Sequence, residues 1–299
     1  MPPTQNGIRF RNPMRTLRLL LLASLSGLRL RAEPSADFHG PVGLQLWTLN
    51  AELQKSVPDT LDRVKAWGFA ELETAGTGGL PAAQFRAELD KRGLSVVAAH
   101  VQYEALSADV AAVIREVQAL GAPVAFCAWI PHSGPFTPEL AVEAAAHFNK
   151  WGAAFRAAGL RLGYHTHGYE FVPGTKAGRT LFDDFVGALD PELIGLEMDV
   201  FWVVHAGQDP VALLNRYPTR WVALHVKDIR KGAPTGLTTG GAPAADKVVV
   251  GTGAIDWPAV LGAAQRLGVR SYFIEDESPD PVGNIPQSLE YLQHLRRPQ

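Results

Sequence analysis

Leu160-Arg-Leu-Gly-Tyr-His165-Thr-His167-Gly-Tyr-Glu170-Phe171, Ile194-Gly-Leu-Glu197-Met-Asp199, Trp221-Val-Ala-Leu-His225-Val-Lys227-Asp228 and Ser271-Tyr-Phe-Ile-Glu275-Asp-Glu277 are four short apolar runs. Each ends in groups that can bind a metal or move a proton. Near-continuous apolar runs of this length read as strands buried on both faces, the habit of parallel sheets. Helical patterns separate them, within Arg179–Leu189, at Asp209–Arg216 and from about Asp256 to Leu267, and Gln287–Leu295 follows the last.

The same rhythm runs back to residue 41. Strands are expected at Val42–Trp47, Phe69–Glu73, Leu94–His100 and Pro123–Ile130. The helices between them are expected at Thr60–Trp67, at Ala82–Arg92 behind Pro81, at Ala108–Leu120 capped by Ser107, and from Thr137 to Gly159. Eight strand–helix units in one chain predict a (β/α)8 barrel, a single domain over residues 40–297. A doubly wound open sheet is the competitor, but Gly251-Thr-Gly253-Ala-Ile-Asp256 lacks the third glycine of a dinucleotide fingerprint.

In a barrel of parallel strands, all C-terminal ends open onto one face. His165, His167 and Glu170 follow strand five, Asp199 ends strand six, His225 ends strand seven and Glu275 ends strand eight. Adjacent strands lie about 5 Å apart, close enough for such groups to share one ion. One histidine among carboxylates is a mostly oxygen donor set, suited to Mn²⁺, Mg²⁺ or Co²⁺ and compatible with Zn²⁺. Glu197 points to the same side as Asp199, two residues lower, as a ligand or as a polar group of the barrel interior.

Composition narrows the partners. Hydrophobic residues make up 46% of the chain and charged ones 19%, an ordinary globular balance. Residues 1–32 hold six Arg and no acid, so the remaining 22 basic residues face 30 acidic ones, a net of -8. An acidic body without a basic block argues against nucleic acid. Cys127 is the only cysteine, which excludes an intramolecular disulfide and a cysteine-based zinc cluster. Arg15 and Arg18 precede the run Leu19–Leu28, and Leu30-Arg-Ala32 offers a cleavage site, so residues 1–32 are expected to be a signal peptide. The expected location is the periplasm, with the cytoplasm as the alternative, and no stable membrane span is expected after processing. The sequence leaves homo-oligomerisation open.

At these residues the chain resembles the sugar phosphate isomerases/epimerases of the xylose-isomerase-like barrels. The resemblance runs from about Val42 to Leu295 and is carried by Val42-Gly-Leu-Gln-Leu-Trp47, Tyr164-His-Thr-His-Gly-Tyr-Glu-Phe171, Leu196-Glu-Met-Asp-Val-Phe-Trp-Val203, Leu224-His-Val-Lys-Asp228, Gly251-Thr-Gly-Ala-Ile-Asp-Trp257 and Phe273-Ile-Glu-Asp276. It implies one divalent metal ion held by Glu170, Asp199, His225 and Glu275. It further implies that Glu170 and Glu275 exchange a proton with a sugar through an enediolate. His100, His165, His167, Lys227 and Glu73 are the expected substrate-binding residues, with Trp47, Trp129 and Trp257 as apolar walls. The expected activity is isomerisation or epimerisation of a sugar or keto-sugar. The alternatives are a metal-dependent lyase or hydrolase of a 3-keto sugar or glycoside, and a non-catalytic carbohydrate-binding barrel. An apurinic-site endonuclease would need more histidines for its three-zinc cluster. Export would favour an unphosphorylated substrate, and the loop Arg230–Gly253 is expected to shape the pocket mouth.

Overall fold

The computed structural model describes residues 38–295; the expected signal peptide lies outside them. The chain runs β1 (Val42–Gln45), α1 (Asn50–Lys55), α2 (Val57–Ala66), β2 (Glu71–Thr74), α3 (Ala82–Asp90), β3 (Ser95–Val101), α4 (Tyr103–Leu120), β4 (Val124–Cys127) and α5 (Pro138–Ala157). It continues through β5 (Arg161–His165), α6 (Leu181–Ala188), β6 (Ile194–Asp199), α7 (Val200–His205), α8 (Pro210–Arg216), β7 (Trp221–Val226), the short β8 (Asp228–Ile229) and β9 (Lys247–Val248), α9 (Trp257–Arg266), β10 (Ser271–Ile274) and α10 (Pro281–His294). All strands but β8 and β9 form one closed parallel barrel, in which β10 bridges β7 and β1. The expected eight-unit barrel is the fold. No helix among the described residues is long and apolar enough to cross a membrane.

Helix starts depart from the sequence reading where a cap outranks hydrophobic spacing. Ser56 accepts from the Asp59 amide and, with Pro58 behind it, opens α2 earlier than expected. In α4 the Ser107 hydroxyl bonds the Tyr103 carbonyl one turn back instead of capping. The cap there is Asp109, which leaves helical geometry (φ -156°, ψ 89°) and accepts from the Ala112 amide at 2.9 Å. The helix therefore begins at Tyr103 and kinks at Asp109. Asp280 caps α10 ahead of Pro281, so Pro286 falls inside the helix rather than before it.

The barrel interior is layered. Its lower part is filled by Val124, Phe126, Ala98, Ala223 and Phe273. The Phe126 ring fits only because strand β5 presents Gly163, where a Cβ would stand 2.5 Å from it. Above this apolar plug every barrel strand but β4 contributes polar side chains at or near its C-terminal end: Gln45, Glu73, His100, His165, Glu197, Asp199, His225 and, just past β10, Glu275. Outside the barrel, α6 and α8 are tied by Asp183. It closes a capping box with Thr180 and also binds Arg216 and Tyr217. Burial raises the Asp183 pKa, but the bonds from Tyr217, Thr180 and Arg216 outweigh it and leave the carboxyl below its ordinary value. Its stabilisation is thus present at neutral pH and fades as acid carries the pH down through that lowered value. Asp183→Ala is expected to cost about 2–4 kcal/mol in urea unfolding near neutrality. The difference from wild type should begin to shrink below about pH 4, where the carboxyl of the unfolded chain takes up its proton, and be lost as the pH falls through the lowered value of the folded protein.

Candidate metal centre

The site forms where β5, β6, β7 and β10 end. Register places His165 beside Glu197 and Asp199 beside His225, with Phe273 across from His225. Asp199 divides its carboxylate between two tasks. Oδ1 caps α7 by accepting from the Trp202 amide at 3.1 Å, and Oδ2 is buried with no hydrogen-bond partner. Facing Oδ2 are His165 Nε2 at 3.9 Å, His225 Nδ1 at 3.9 Å and Lys227 Nζ at 3.6 Å. Glu275 Oε2 lies 2.9 Å from His225 Nδ1 and 3.1 Å from Lys227.

Below this layer the same two rings meet a second pair of carboxylates. His165 Nδ1 lies 2.9 Å from Glu197 Oε2, and His225 Nε2 lies 2.6 Å from Glu73 Oε2. His100 Nε2 stands between these carboxylates, 3.2 Å from Glu73 and 3.1 Å from Glu197. Gln45, fully buried, donates to Glu73 Oε2 at 2.7 Å. Lys227 also pairs with Glu277, which Lys247 approaches at 3.2 Å.

Charge follows from burial set against these partners. Burial favours the neutral form of every group here. At Glu275 the cations Lys227 and His225 overcome that burial, and the carboxyl titrates well below its ordinary range. At Glu73 the histidines His100 and His225 do the same, down to about 2. Burial wins at Glu197, reinforced by the charge on Glu73, and raises it to about 7; Asp199 is raised by burial to about 6. His100 and His225 are driven up against burial by their carboxylates, His100 to about 10. His165 is held neutral by burial and by the neighbouring His225 and His100. A divalent cation would shift this balance toward ionised carboxylates and neutral imidazoles.

The donors fit such a cation. Asp199, His225 and Glu275 bring ligand atoms close enough together to share one ion. His165 Nε2 faces Asp199 Oδ2 from the next strand at 3.9 Å, and that oxygen is an orphaned buried acceptor. Glu170 is not among them. The 3₁₀ turn Tyr169–Phe171 directs its carboxylate back onto the His167 amide at 2.9 Å. There burial raises it to about 7. Of the three strand-five candidates, His165, His167 and Glu170, the one facing Asp199 is His165, which the sequence also placed among the substrate-binding residues. His167 stacks on Trp202 and lines the pocket with its Nδ1 unpartnered. Trp257 is fully buried and donates its Nε1 to Asp228, so it has no face to offer a substrate.

A cavity of about 170 Å³ opens onto the donors. Trp47, Ala75, His100, Gln102, Ala128, His165, His167, Glu275 and Glu277 line it. Trp47, half exposed, donates its Nε1 to Glu277. Trp129 stacks on His132 at the edge and touches His167. Sequence reasoning passed over Gln45 and Glu277. The signal for Gln45 was its place in β1, where a lone amide breaks an apolar run on the side facing the barrel interior.

A closed parallel barrel with a carboxylate–imidazole cluster at its C-terminal mouth places its polar groups where barrel enzymes carry their active sites. Residues 61–295 match the family described as Xylose isomerase-like TIM barrel, and the chain belongs to that family of enzymes. Among curated proteins it is similar to the inosose dehydratase of Lacticaseibacillus casei, 27% identical over 172 residues that make up 52% of each chain. The chain spans about half the length of the curated relatives it matches. Among solved structures it resembles a sugar phosphate isomerase/epimerase from Parabacteroides distasonis, 24% identical with a TM-score of 0.69 over 85% of this chain and 97% of that one. It also resembles the IOLI protein with a bound zinc atom, 13% identical with a TM-score of 0.68 over 86% and 98%. At these identities the structures show the shared fold.

A cation held by these donors should stabilise the fold by mass action. At a free Mn²⁺ concentration near 100 times its Kd the gain is about 2.7 kcal/mol, read as a rise in Tm that EDTA reverses. Asp199→Asn and His225→Gln are expected to abolish the rise, whereas Glu170→Gln should retain it.

Proposed function

We propose that this protein is a divalent-metal-dependent dehydratase acting on a keto-polyol such as a keto-inositol. One observation carries the reading: a proton-holding His100 and an ionised Glu275 line the same small cavity, with the donor His165 beside them. The curated similarity to inosose dehydratases supports it. Elimination therefore moves ahead of the isomerisation expected from the sequence, since both reactions begin with the same proton removal next to a carbonyl.

Loss of water beside a ketone removes a proton from the α-carbon and delivers one to the hydroxyl leaving the β-carbon. Glu275 suits the first task, because Lys227 contacts Oε2 and, with the bound cation, would keep the carboxyl ionised, leaving Oε1 for the substrate. His100 suits the second, its charge maintained by Glu73 and Glu197. The electron pair of the broken C–H bond becomes the new C=C, and the hydroxyl departs as water with the His100 proton. A bound divalent cation, Mn²⁺ or Co²⁺ by its donor set and Zn²⁺ also accommodated, would supply Lewis-acid polarisation of the substrate carbonyl. His167 and Gln102 present polar atoms to the remaining hydroxyls, and Trp47 offers an apolar face to the C–H side of the ring.

With Mn²⁺ and a keto-inositol, mass spectrometry should detect a product lighter by one water. Glu275→Gln is expected to lower kcat by about 10³-fold and His100→Asn by about 10²-fold, with unchanged far-UV dichroism. Deuterium uptake from D₂O into substrate that never loses water would return the reading to isomerisation or epimerisation.

A further inference from the structure

His165 and His225 stand between two nests of carboxylates, and each ring offers one nitrogen to each nest. Above are Asp199 and Glu275; below are Glu197 and Glu73. The lower nest has an appetite of its own, because Glu73 Oε1 and Glu197 Oε1 are buried without partners. His100, His165, Glu197 and His225 also lie close enough together to suggest a second ion there. The rings decide against it. A neutral imidazole carries one N–H and one lone pair, so a ring that gives its lone pair upward can only donate a proton downward. Two cations would require both rings to lose their last protons together.

Resting on the reading of the upper nest as the cation site, we infer that Glu73 is a positioning residue: it accepts the Nε2 proton of His225 and so fixes Nδ1 as the nitrogen presented to the cation. Glu197 holds His165 in the opposite sense, accepting at Nδ1 and freeing Nε2. The two rings thus use different nitrogens, and the carboxylates beneath them specify which. Glu73 comes from β2, three strands round the barrel from β7, so it reaches His225 through the barrel interior rather than along a neighbouring strand.

Glu73 is itself held in place. Gln45 on β1 donates Nε2 to the same oxygen that meets His225, and its own Oε1 accepts the Trp47 amide at 2.8 Å. A fully buried glutamine with both ends of its amide bonded has a defined orientation, and its carboxylate neighbour inherits it. The chain of contacts therefore runs from the backbone under a cavity-lining tryptophan, through Gln45 and Glu73, to the ligating ring.

Carboxylates behind ligating histidines typically contribute 10–100-fold in metal affinity. Competition titration of the metal-free full-length protein against a chromophoric chelator should show Glu73→Gln weakening Mn²⁺ binding by about 10–100-fold. Gln45→Leu, which leaves the carboxylate in place but unclamped, should weaken it less, and the two together no more than Glu73→Gln alone. With histidine labelled by ¹⁵N and Zn²⁺ as the cation, the wild-type His225 ring should show a single Nε2–H tautomer, and Glu73→Gln a mixture; a merely structural role would not move that signal. Should Glu73→Gln fail to fold, Gln45→Leu carries the same two readouts. Wild-type protein that takes up no divalent cation overturns both the cation site and this inference. Uptake by the wild type with unchanged affinity and tautomer in the variants overturns this inference alone.

Discussion

Carboxylates taken out of water must be neutralised, and the upper barrel is arranged around that demand. Glu73, Glu197, Asp199 and Glu275 are all buried there, with His100, His165, His225 and Lys227 among them. Stripping water from each ion costs several kcal/mol, returned only where an opposite charge and good hydrogen bonds take its place. Histidine serves here because one ring can face two carboxylates from opposite edges. Beneath the arrangement lies an apolar plug in which Phe126 and Phe273 are fully buried.

The fold was legible because eight apolar runs alternate with eight helical patterns, the count of a closed parallel barrel, and the segment Gly251-Thr-Gly253 lacks the fingerprint an open dinucleotide-binding sheet would carry. What the sequence misplaced were helix starts, and the reason is local chemistry. Asp109 interrupts α4 with a cap that hydrophobic spacing does not register, and Asp280 with Pro281 begins α10 ahead of an internal proline. The hydrophobic pattern reports which face is buried, not where the backbone finds its first hydrogen bond.

The site was legible strand by strand. Asp199 and His225 lie on their strands and Glu275 one residue past its own, and strand parity carries all three toward one another. Glu170 lies beyond the strand, where parity no longer applies, and the turn returns its carboxylate to its own loop. His165, still on the strand, takes the inward direction instead. The link from Glu73 to His225 spans the barrel, and no local pattern in the chain carries that information. Trp257 was misread because tryptophan suits a sugar face and a core equally well.

Its indole belongs to a different structure. The Asp228 carboxylate accepts from the amides of Ile229, Gly251 and Gly253 as well as from Trp257. The segment wraps it so closely that a Cβ at Gly253 would stand 2.2 Å from Oδ1. The β8–β9 pairing lies just above, and from it the loop travels until Gly240 rests against Trp129. A clasp at the root fixes where the excursion leaves and rejoins the barrel, and the Leu237 amide on the His205 carbonyl pins it again further out, so the pocket mouth is built on the same frame as the strand that carries His225.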